Sequence, residues 1–344
     1  MMDNIESMIH SDQAGFIPNR SIFDQIRLAS TIISYAELTE EDGSIVALDQ
    51  EKAYDKIRHD YLWATLEKFD IPTSFTKTVQ TLYQHAYTRV AINGILSSPF
   101  KVTRGVRQGD PLSCALFDLA IEPLACQLRN NPNIHGISIP GTEERIITSL
   151  FANDTNLFLH KEDCMDRVQE TLDKWCLTSG AKFNMEKTEI IPIGSIAHRN
   201  QVITTRKINM NDQAPFDECI RIAKDGEAIR SLGARIGNNT NEETPWEPVL
   251  DKAQQKLKAW NRFHPTLKGR KLIIQMIVGG LTQFLTKAQG MPKRIEDALT
   301  KMTRDFIWHD SMHPRIALKT LVRLVEECYE LTPLVLFRTA DWDC

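Results

Sequence analysis

Gly105-Val-Arg-Gln-Gly-Asp-Pro-Leu-Ser113 is the stretch of sequence that decides the fold, because of the two segments that flank it. Upstream, Ile45-Val-Ala-Leu-Asp-Gln-Glu-Lys-Ala-Tyr-Asp55 begins as an apolar run and ends in acidic residues. Downstream, Ser149-Leu-Phe-Ala-Asn-Asp-Thr-Asn-Leu-Phe158 has its polar pair between two apolar runs. The flanks are typical of strands, and the central stretch is typical of a turn that opens a helix. Two strands with carboxylates at their ends indicate a divalent-metal site, beside a turn that can seat a nucleotide.

The hydrophobic pattern predicts an α+β body followed by an all-helical region. In the body, helices are predicted at 24–37, 59–69, 73–85, 112–129 and 166–179, and strands at 44–48, 88–93, 95–102, 145–151, 155–160, 188–193 and 228–236. Asn93-Gly94 and Asn153-Asp154 each lie between two such runs, which predicts two hairpins. The polar stretch 238–243 is the best boundary, and the pattern is helical from Trp246 onward.

Composition and charge set broad limits on function. The 344 residues include 42% hydrophobic residues, enough to bury a core, and carry a formal net charge of −4. Residues 250–272 nevertheless contain seven Lys or Arg residues and one Asp, as in a nucleic-acid-binding lobe or a solvated helix face. The seven cysteines form no CxxC pair, which predicts free thiols and an intracellular location, nuclear or cytoplasmic. We find no apolar run of membrane-spanning length and expect no membrane association.

In their order and spacing, the three segments resemble the palm of a reverse transcriptase, in particular that of the non-LTR (LINE-type) retrotransposons. The resemblance implies an α+β right-hand polymerase, whose antiparallel palm sheet carries helices on one face. It implies partial fingers at 1–43, a palm at 44–237 with a fingers-side insertion at about 73–104, a helical thumb-like region at 245–325 and an unassigned tail at 326–344. The implied activity is RNA-directed DNA synthesis by two-metal nucleotidyl transfer, with two Mg²⁺ ions as cofactors.

The same resemblance assigns the catalytic residues. Asp49 and Asp154 are the expected metal ligands, although a lone Asp at the end of a strand is more often a surface turn residue. The family has two consecutive Asp residues at the second hairpin, whereas this chain has Asn153 before Asp154. Asn keeps a carbonyl ligand but loses the negative charge on which hard divalent cations rely. We therefore expect Asn153 to be a weak ligand, Mg²⁺ binding and DNA synthesis to be impaired, and Lys187 to be the general acid for the pyrophosphate leaving group.

Five residues are expected to contact the incoming nucleotide. By resemblance, the backbone of Lys52 and Ala53 faces the triphosphate, and Tyr54 lies under the sugar, where it excludes a 2′-hydroxyl. An ordinary core aromatic is the alternative for Tyr54. Gln108 and Gly109 are expected to contact the incoming nucleotide and the templating base, although their turn is also typical of a helix cap.

The resemblance assigns contacts with template and primer to a larger set of residues. They belong to the fingers, the central turn, the primer grip and the thumb. They are Gln13, Phe16, Arg20, Arg107, Gly233, Lys256, Arg262 and Arg270. The first three, in a Gly/Pro-containing loop, either contact the template or support the fingers. The basic thumb residues would grip phosphates without recognising sequence, and Trp260 is expected in the core. The implied partners are an RNA template, a DNA primer and deoxynucleoside triphosphates, with the oligomeric state open.

The resemblance covers roughly residues 5–310, and several parts of the family's proteins are not found. An earlier fingers strand, an endonuclease, a zinc knuckle and an RNase H segment are missing, so we expect a truncated, decayed copy of a retroelement. A catalytically inactive remnant that binds RNA or primer–template is one alternative, and an intron-encoded maturase is another. A glycosidase that uses Asp49 and Asp154 as an acid/base pair is a third, but it leaves Tyr54 and Gln108 unexplained.

Overall fold

The computed structural model describes residues 2–141 and 144–308. The chain divides into two compact units, and it passes from the first to the second at Thr240–Asn241, inside the polar stretch 238–243. The predicted tail at 326–344 and residues 309–325 of the predicted thumb-like region lie outside the described residues.

The first unit mixes helices with short strands. Its helices are α1 (Met2–Met8), α2 (Ile22–Thr39), α3 (Ala53–Lys56), α4 (His59–Lys68), α5 (Thr73–Gln84), α6 (Pro111–Arg129), α7 (Met165–Ser179) and α8 (Ile196–Thr205). Its strands are β1 (Gly43–Leu48), β2 (Tyr87–Thr88), β3 (Ala91–Ile92), β4 (Ile95–Leu96), β5 (Phe100–Lys101), β6 (Thr148–Phe151), β7 (Asp154–His160), β8 (Glu189–Ile193), β9 (Arg221–Ile222), β10 (Ile229–Ser231) and β11 (Ala234–Ile236). A short 3₁₀ turn, Met185–Lys187, precedes β8.

A five-stranded sheet in the order β6-β7-β1-β8-β9 forms the centre of this unit. Neighbouring strands are antiparallel except for β8 and β9, which run parallel. The inner strands are rich in Ile, Val and Leu, which suit strands buried on both faces. Phe151 pairs with Asp154 across the β6–β7 turn, which confirms the hairpin predicted at Asn153-Asp154.

Both faces of the sheet are covered. Val46, Leu157 and Ile190 pack into one core with residues of α4, α6 and α7. Successive side chains of a strand point to opposite faces, so Ile45 and Phe158 lie on the other face from Val46 and Leu157. There they pack with α2 and the β10–β11 hairpin. Helices therefore lie on both faces of the sheet, whereas the sequence predicted helices on one face. The second face is covered because α2 also carries an apolar stripe at helical spacing, which packs against it.

Helix α6 begins inside the stretch that decides the fold. Asp110 accepts a hydrogen bond from the Leu112 amide at 2.9 Å, and Pro111 takes the first helical position. With 19 residues and a mean hydropathy of 1.2, α6 is long and apolar enough to cross a membrane by composition alone, contrary to our expectation from the sequence. However, 67% of it is buried inside the protein, as in the core helix of a folded domain.

The second unit is helical over its described residues, as the pattern from Trp246 onward predicted. Its helices are α9 (Glu247–Asn261), α10 (Leu267–Ile274), α11 (Gly280–Gln289) and α12 (Lys293–Trp308), with a π-helical turn, Gln275–Gly279, between α10 and α11. Trp246, Leu257 and Leu299 belong to its own hydrophobic core, so this unit has an interior separate from that of the first.

Candidate active site

Asp49 and Asp154 meet at one edge of the sheet. Leu48 pairs with Thr155 across β1 and β7, and each Asp lies one residue beyond that pair. Partial desolvation and the negative charge of Asp49 both raise the pKa of Asp154, whereas nearby Arg230 lowers it. The expected placement of the two carboxylates on neighbouring strands is thus confirmed. A neighbouring anionic group that raises the cost of ionising Asp154 favours a cation between the two carboxylates.

A loop after α7 holds Asp49 from the other side. The Asn184 amide donates to the Asp49 carbonyl at 2.8 Å. The Lys187 ammonium lies 3.6 Å from a carboxylate oxygen of Asp49, and its side chain is 67% exposed. Lys187 therefore reaches the carboxylate group and also solvent. Its assignment as a general acid stays a prediction.

The β6–β7 turn carries Asn153 between Ala152 and Asp154. Together with Asp49, the turn offers two carboxylates and one amide oxygen, all of them hard oxygen donors of the kind that divalent cations of the magnesium type prefer. The set fits such a cation, but its formal charge is −2 where a third carboxylate would make it −3. The cation would thus be held less tightly than by three carboxylates.

The segment after Asp49 turns sharply into α3. Lys52 has a φ of 48°, and Ala53 is buried at the first turn of the helix. The Tyr54 ring stacks on the Phe117 ring with centroids 4.7 Å apart. Burial, with a contribution from the neighbouring Cys114 thiol, raises the pKa of Tyr54. Tyr54 is a half-buried aromatic fixed against α6, which is compatible with both of the roles considered for it.

The turn that carries Gln108 is anchored to this same segment. Val106 donates from its amide to the Tyr54 carbonyl at 2.7 Å, and Gly105 donates to the Ile57 carbonyl at 2.6 Å. A Cβ on Gly105 would lie 2.8 Å from the Tyr54 carbonyl oxygen, so only glycine permits this close approach. Gln108 follows Val106 by two residues and is exposed. The structure thus joins the central stretch of the sequence to the segment after Asp49.

Arg107 and Gly109 flank Gln108 in different ways. The Arg107 guanidinium donates to the Leu82 carbonyl and lies over the Tyr83 ring, 5.1 Å from its centroid. Gly109 has a φ of +89° and open space around it. Arg107 ties the turn to α5, and the predicted contact of Arg107 with template would require it to leave these partners.

Gln13 is buried, and the partly exposed Arg20 has internal partners for its guanidinium. The Gln13 side chain is 0% exposed and bonds to the backbone of Ala152. The Arg20 guanidinium donates to four backbone carbonyls, including those of Ile9 at 2.9 Å and Gln13 at 2.7 Å. Burial corrects the prediction of a template contact for Gln13, and the guanidinium of Arg20 is used internally. Of the two alternatives, the structure favours support.

The positions of Phe16 and Gly233 are compatible with contact to nucleic acid, which stays a prediction. Phe16 is 48% exposed, with its ring centroid 6.5 Å from that of Phe151, just before the β6–β7 turn. Gly233, with a φ of +83°, forms the tip of the β10–β11 hairpin. The Asn156 side-chain amide donates to the Ser231 hydroxyl at 3.2 Å, which fixes this hairpin beside β7.

In the second unit, the predicted nucleic-acid contacts separate into two groups. Lys256 and Arg262 are exposed on and just after α9. Arg270 is 2% exposed and donates to the Pro265 carbonyl at 3.1 Å, the Asn261 side chain at 3.0 Å and the Phe306 carbonyl. The prediction for Arg270 is therefore wrong, since this residue joins three segments of the helical core.

Trp260 also differs from its prediction. It was expected in the core, but it is 41% exposed, and its ring lies 6.0 Å from that of the exposed Phe263. Trp260 follows Leu257 at the spacing of one helix face, but it is the next-to-last residue of α9, and the structure leaves it exposed.

A separate group of candidate metal ligands lies away from the β6–β7 turn. Atoms of Cys164, Asp166 and Asp212 lie within 4.8 Å of one another, an arrangement that could hold a metal ion. The Asp212 carboxylate already accepts the Met165 amide at 2.7 Å, and burial raises the pKa of the Cys164 thiol to about 11. A protonated thiol and loop-capping carboxylates make this group a weaker candidate than Asp49 and Asp154.

Two residues of the site were missed or misassigned from the sequence. Arg230 acts electrostatically on Asp154, and its place three residues before Gly233, which the resemblance assigns to the primer grip, was the available signal. The internal role of Gln13 had no local signal, because its partner Ala152 lies far along the chain.

Comparison with known proteins decides the family. The family model described as reverse transcriptase (RNA-dependent DNA polymerase) matches residues 1–225. The chain belongs to the reverse transcriptase family. A 149 kDa transposon TX1 protein of Xenopus laevis is 28% identical over 310 residues, covering 88% of this chain and 22% of that protein. The Pol polyprotein of the type-2 retrotransposable element R2DM of Drosophila melanogaster is 31% identical over 178 residues, covering 51% of this chain and 16% of that protein.

These relatives place the reverse transcriptase domain among those of non-LTR retrotransposons. The chain spans less than a quarter of the length of either relative. Among solved structures, an apo telomerase from Candida tropicalis matches with a TM-score of 0.48 and 11% identity, over 95% of this chain and 52% of that chain.

Proposed function

We propose that this chain is an RNA-directed DNA polymerase domain whose two-metal site is weakened by Asn153. The observation that carries the proposal is the meeting of Asp49 and Asp154 at one sheet edge. The turn that bears Gln108 is bonded to the segment that follows Asp49. Members of the family use divalent metal, and Mg²⁺ is the ion that we propose here, since all the donors are oxygens.

Each part of the site has a task in nucleotidyl transfer. Asp49, Asp154 and the Asn153 amide would hold the cations, which when bound lower the pKa of a primer hydroxyl and neutralise the triphosphate. Tyr54, fixed by its stack on Phe117, limits the space beneath the sugar. Lys187, whose ammonium lies 3.6 Å from a carboxylate oxygen of Asp49, would donate a proton toward the leaving group.

Two surfaces support nucleic acid as the partner. The ribbon of residues 86–109, which contains β2–β5, has four Lys or Arg residues and no acidic residue. It also exposes large apolar side chains, among them Tyr87, Ile92 and Phe100. In the second unit, exposed Trp260 and Phe263 lie close in sequence to Lys256 and Arg262. Positive charge beside exposed rings suits phosphates and bases, so the proposed partners are an RNA template, a DNA primer and deoxynucleoside triphosphates.

Primer extension on an RNA template tests the proposal. We expect slow Mg²⁺-dependent DNA synthesis by the unaltered chain and a gain of about a hundredfold in Asn153→Asp, because a lost metal-binding anion costs at least as much as a lost outer partner. Asp49→Asn introduced into Asn153→Asp should abolish the gain. Rapid synthesis by the unaltered chain that Asn153→Asp does not change would contradict the proposed impairment.

A nucleic-acid-binding protein without polymerase activity is the second candidate, and the amide at position 153 favours it. It predicts salt-dependent binding of an RNA–DNA duplex with no incorporation by the unaltered chain. Incorporation in Asn153→Asp but not in the unaltered chain would support this candidate while leaving the site assignment intact.

A further inference from the structure

The Gln13 side chain joins the N-terminal segment to the β6–β7 turn. Its Oε1 atom accepts the Gly15 amide at 2.8 Å and the Ala152 amide at 2.9 Å, and its Nε2 atom donates to the Ala152 carbonyl at 3.3 Å. Both backbone polar groups of Ala152 are therefore bonded to one side chain. Gln13 is fully buried, so water does not compete for these bonds.

Ala152 has an unfavourable backbone conformation. Its φ is +53°, in the left-handed region, which is unfavourable for an L-residue other than Gly or Asn. Ala152 directly precedes Asn153 and Asp154, so its conformation sets where their side chains start. A strained residue persists when its surroundings hold it, and here the holder is the Gln13 amide.

The segment that carries Gln13 is itself fixed. The Ala14 amide donates to the Leu150 carbonyl at 2.9 Å, and the Leu150 amide donates to the Asp12 carbonyl at 2.7 Å, so this segment lies beside β6. A Cβ on Gly15 would come within 2.2 Å of the Ala152 nitrogen, which shows how closely the two backbones approach. Gln13 therefore acts from a rigid support.

We propose that Gln13 is a positioning residue that holds the β6–β7 turn in the conformation required for Asp154 and residue 153 to share a cation with Asp49. Gln13 is fully buried and acts on the turn through Ala152. Its consequence for DNA synthesis rests on the proposed function, whereas its hold on the turn does not.

The test compares two buried glutamines. Gln13→Met keeps the length of the side chain and removes its hydrogen bonds. Gln25→Met is the matched control, because Gln25 is also buried and bonds to the Asp12 carbonyl at 3.1 Å and to the Ser149 hydroxyl, but not to the turn. Amide hydrogen exchange at Ala152 and the Mn²⁺ affinity of the protein without nucleic acid are measured for both.

In Gln13→Met we expect exchange at Ala152 to accelerate at least about tenfold and the Mn²⁺ affinity to fall about tenfold, as when an outer partner of a metal ligand is lost. Gln25→Met should change neither. Gln13→Glu keeps the acceptor atom and loses the donor, so it should restore part of the Mn²⁺ affinity relative to Gln13→Met.

Unchanged exchange at Ala152 in a folded Gln13→Met protein would overturn the proposal, as would equal effects of Gln13→Met and Gln25→Met. Loss of the folded state in both Gln13 variants would also overturn it, because Gln13 would then serve the fold as a whole. Failure of the unaltered chain to bind Mn²⁺ would count against the proposed function, and the exchange data would still decide whether Gln13 holds the turn.

Discussion

Asp49 and Asp154 lie one residue beyond the Leu48–Thr155 pair, at the same edge of two antiparallel strands, although they are far apart in the chain. Partial desolvation and the charge of Asp49 raise the pKa of Asp154, which shows that the two carboxylates share one electrostatic environment. A divalent-cation site requires two carboxylates that lie close together in this way. Substitution of a neighbouring charged residue should therefore change the properties of the site measurably.

Lys187 should influence chemistry more than binding. In the Asn153→Asp protein, we predict that Lys187→Gln lowers kcat by about a hundredfold with little change in KM, because a positioned general acid acts in the transition state. Lys182→Gln is the control, since Lys182 belongs to the same loop but pairs with Glu51 at 3.2 Å. Single-nucleotide incorporation kinetics measure both variants, and equal losses in the two would remove the assignment of Lys187 as an acid.

Asp118 should make stability depend on pH. Burial and the charge of Glu122 raise the pKa of Asp118 to about 8, against a smaller opposing effect of Arg20. A pKa raised on folding means that the stabilising contribution is complete below the unfolded-state pKa, near 4, and is lost as pH rises through about 8. We predict that Asp118→Asn gains stability relative to the unaltered chain between pH 5 and 8, by at most about 1.4 kcal/mol per pH unit.

Urea unfolding at a series of pH values measures this difference. Asp60→Asn is a suitable control, because Asp60 is exposed and pairs with Arg58 at the surface. Parallel stability profiles for Asp118→Asn and the unaltered chain would show that Asp118 is ionised at little cost in the folded state.

Gly105 should be needed for its lack of a side chain and not only for its φ. We predict that Gly105→Ala is less stable than Gly94→Ala by about 1–3 kcal/mol, because the added methyl group would meet backbone atoms of Tyr54 and Asp55. Gly94 has nearly the same φ, +82° against +84°, with open space around it, so both variants share the conformational cost. Thermal or urea unfolding decides the matter, and equal destabilisation would show that the steric contact is relieved easily.

The basic ribbon should contribute to binding without specificity. We predict that Arg89→Glu combined with Lys101→Glu weakens the binding of an RNA–DNA duplex about tenfold or more at low salt and reduces the salt dependence of Kd, because fewer counterions are released. Arg167→Glu on α7, where Arg167 pairs with Glu170 at 3.0 Å, is the control. Fluorescence anisotropy over a salt series measures both, and an unchanged slope in the double variant would exclude the ribbon from the contact.

The sequence was sufficient to predict what depends on local pattern. The strand before Asp49, the hairpin at Asn153-Asp154 and the cap at Asp110 all follow from apolar period and turn chemistry. Helix α8 (Ile196–Thr205) was not predicted, because its apolar residues form only a weak stripe.

Long-range contacts explain the remaining errors. Gln13 and Arg270 belong to residue types that often face solvent, and each is buried because distant backbone groups satisfy its polar atoms. Trp260 was expected in the core from the helical spacing that it shares with Leu257, but it lies near the end of α9 and is exposed. Such outcomes depend on which segments meet in space, and no local spacing encodes that.

Direct metal binding tests whether Asp49 and Asp154 share a cation. Mn²⁺ titration followed by electron paramagnetic resonance, without nucleic acid, would compare the unaltered chain with Asp49→Asn, Asp154→Asn and Asn153→Asp, with exposed Asp60→Asn as the control. We predict that each loss of a carboxylate weakens Mn²⁺ binding by at least about tenfold, that Asn153→Asp strengthens it about tenfold, and that Asp60→Asn has no effect. Equal Mn²⁺ affinity in the unaltered chain, Asp49→Asn and Asp154→Asn would contradict the shared site.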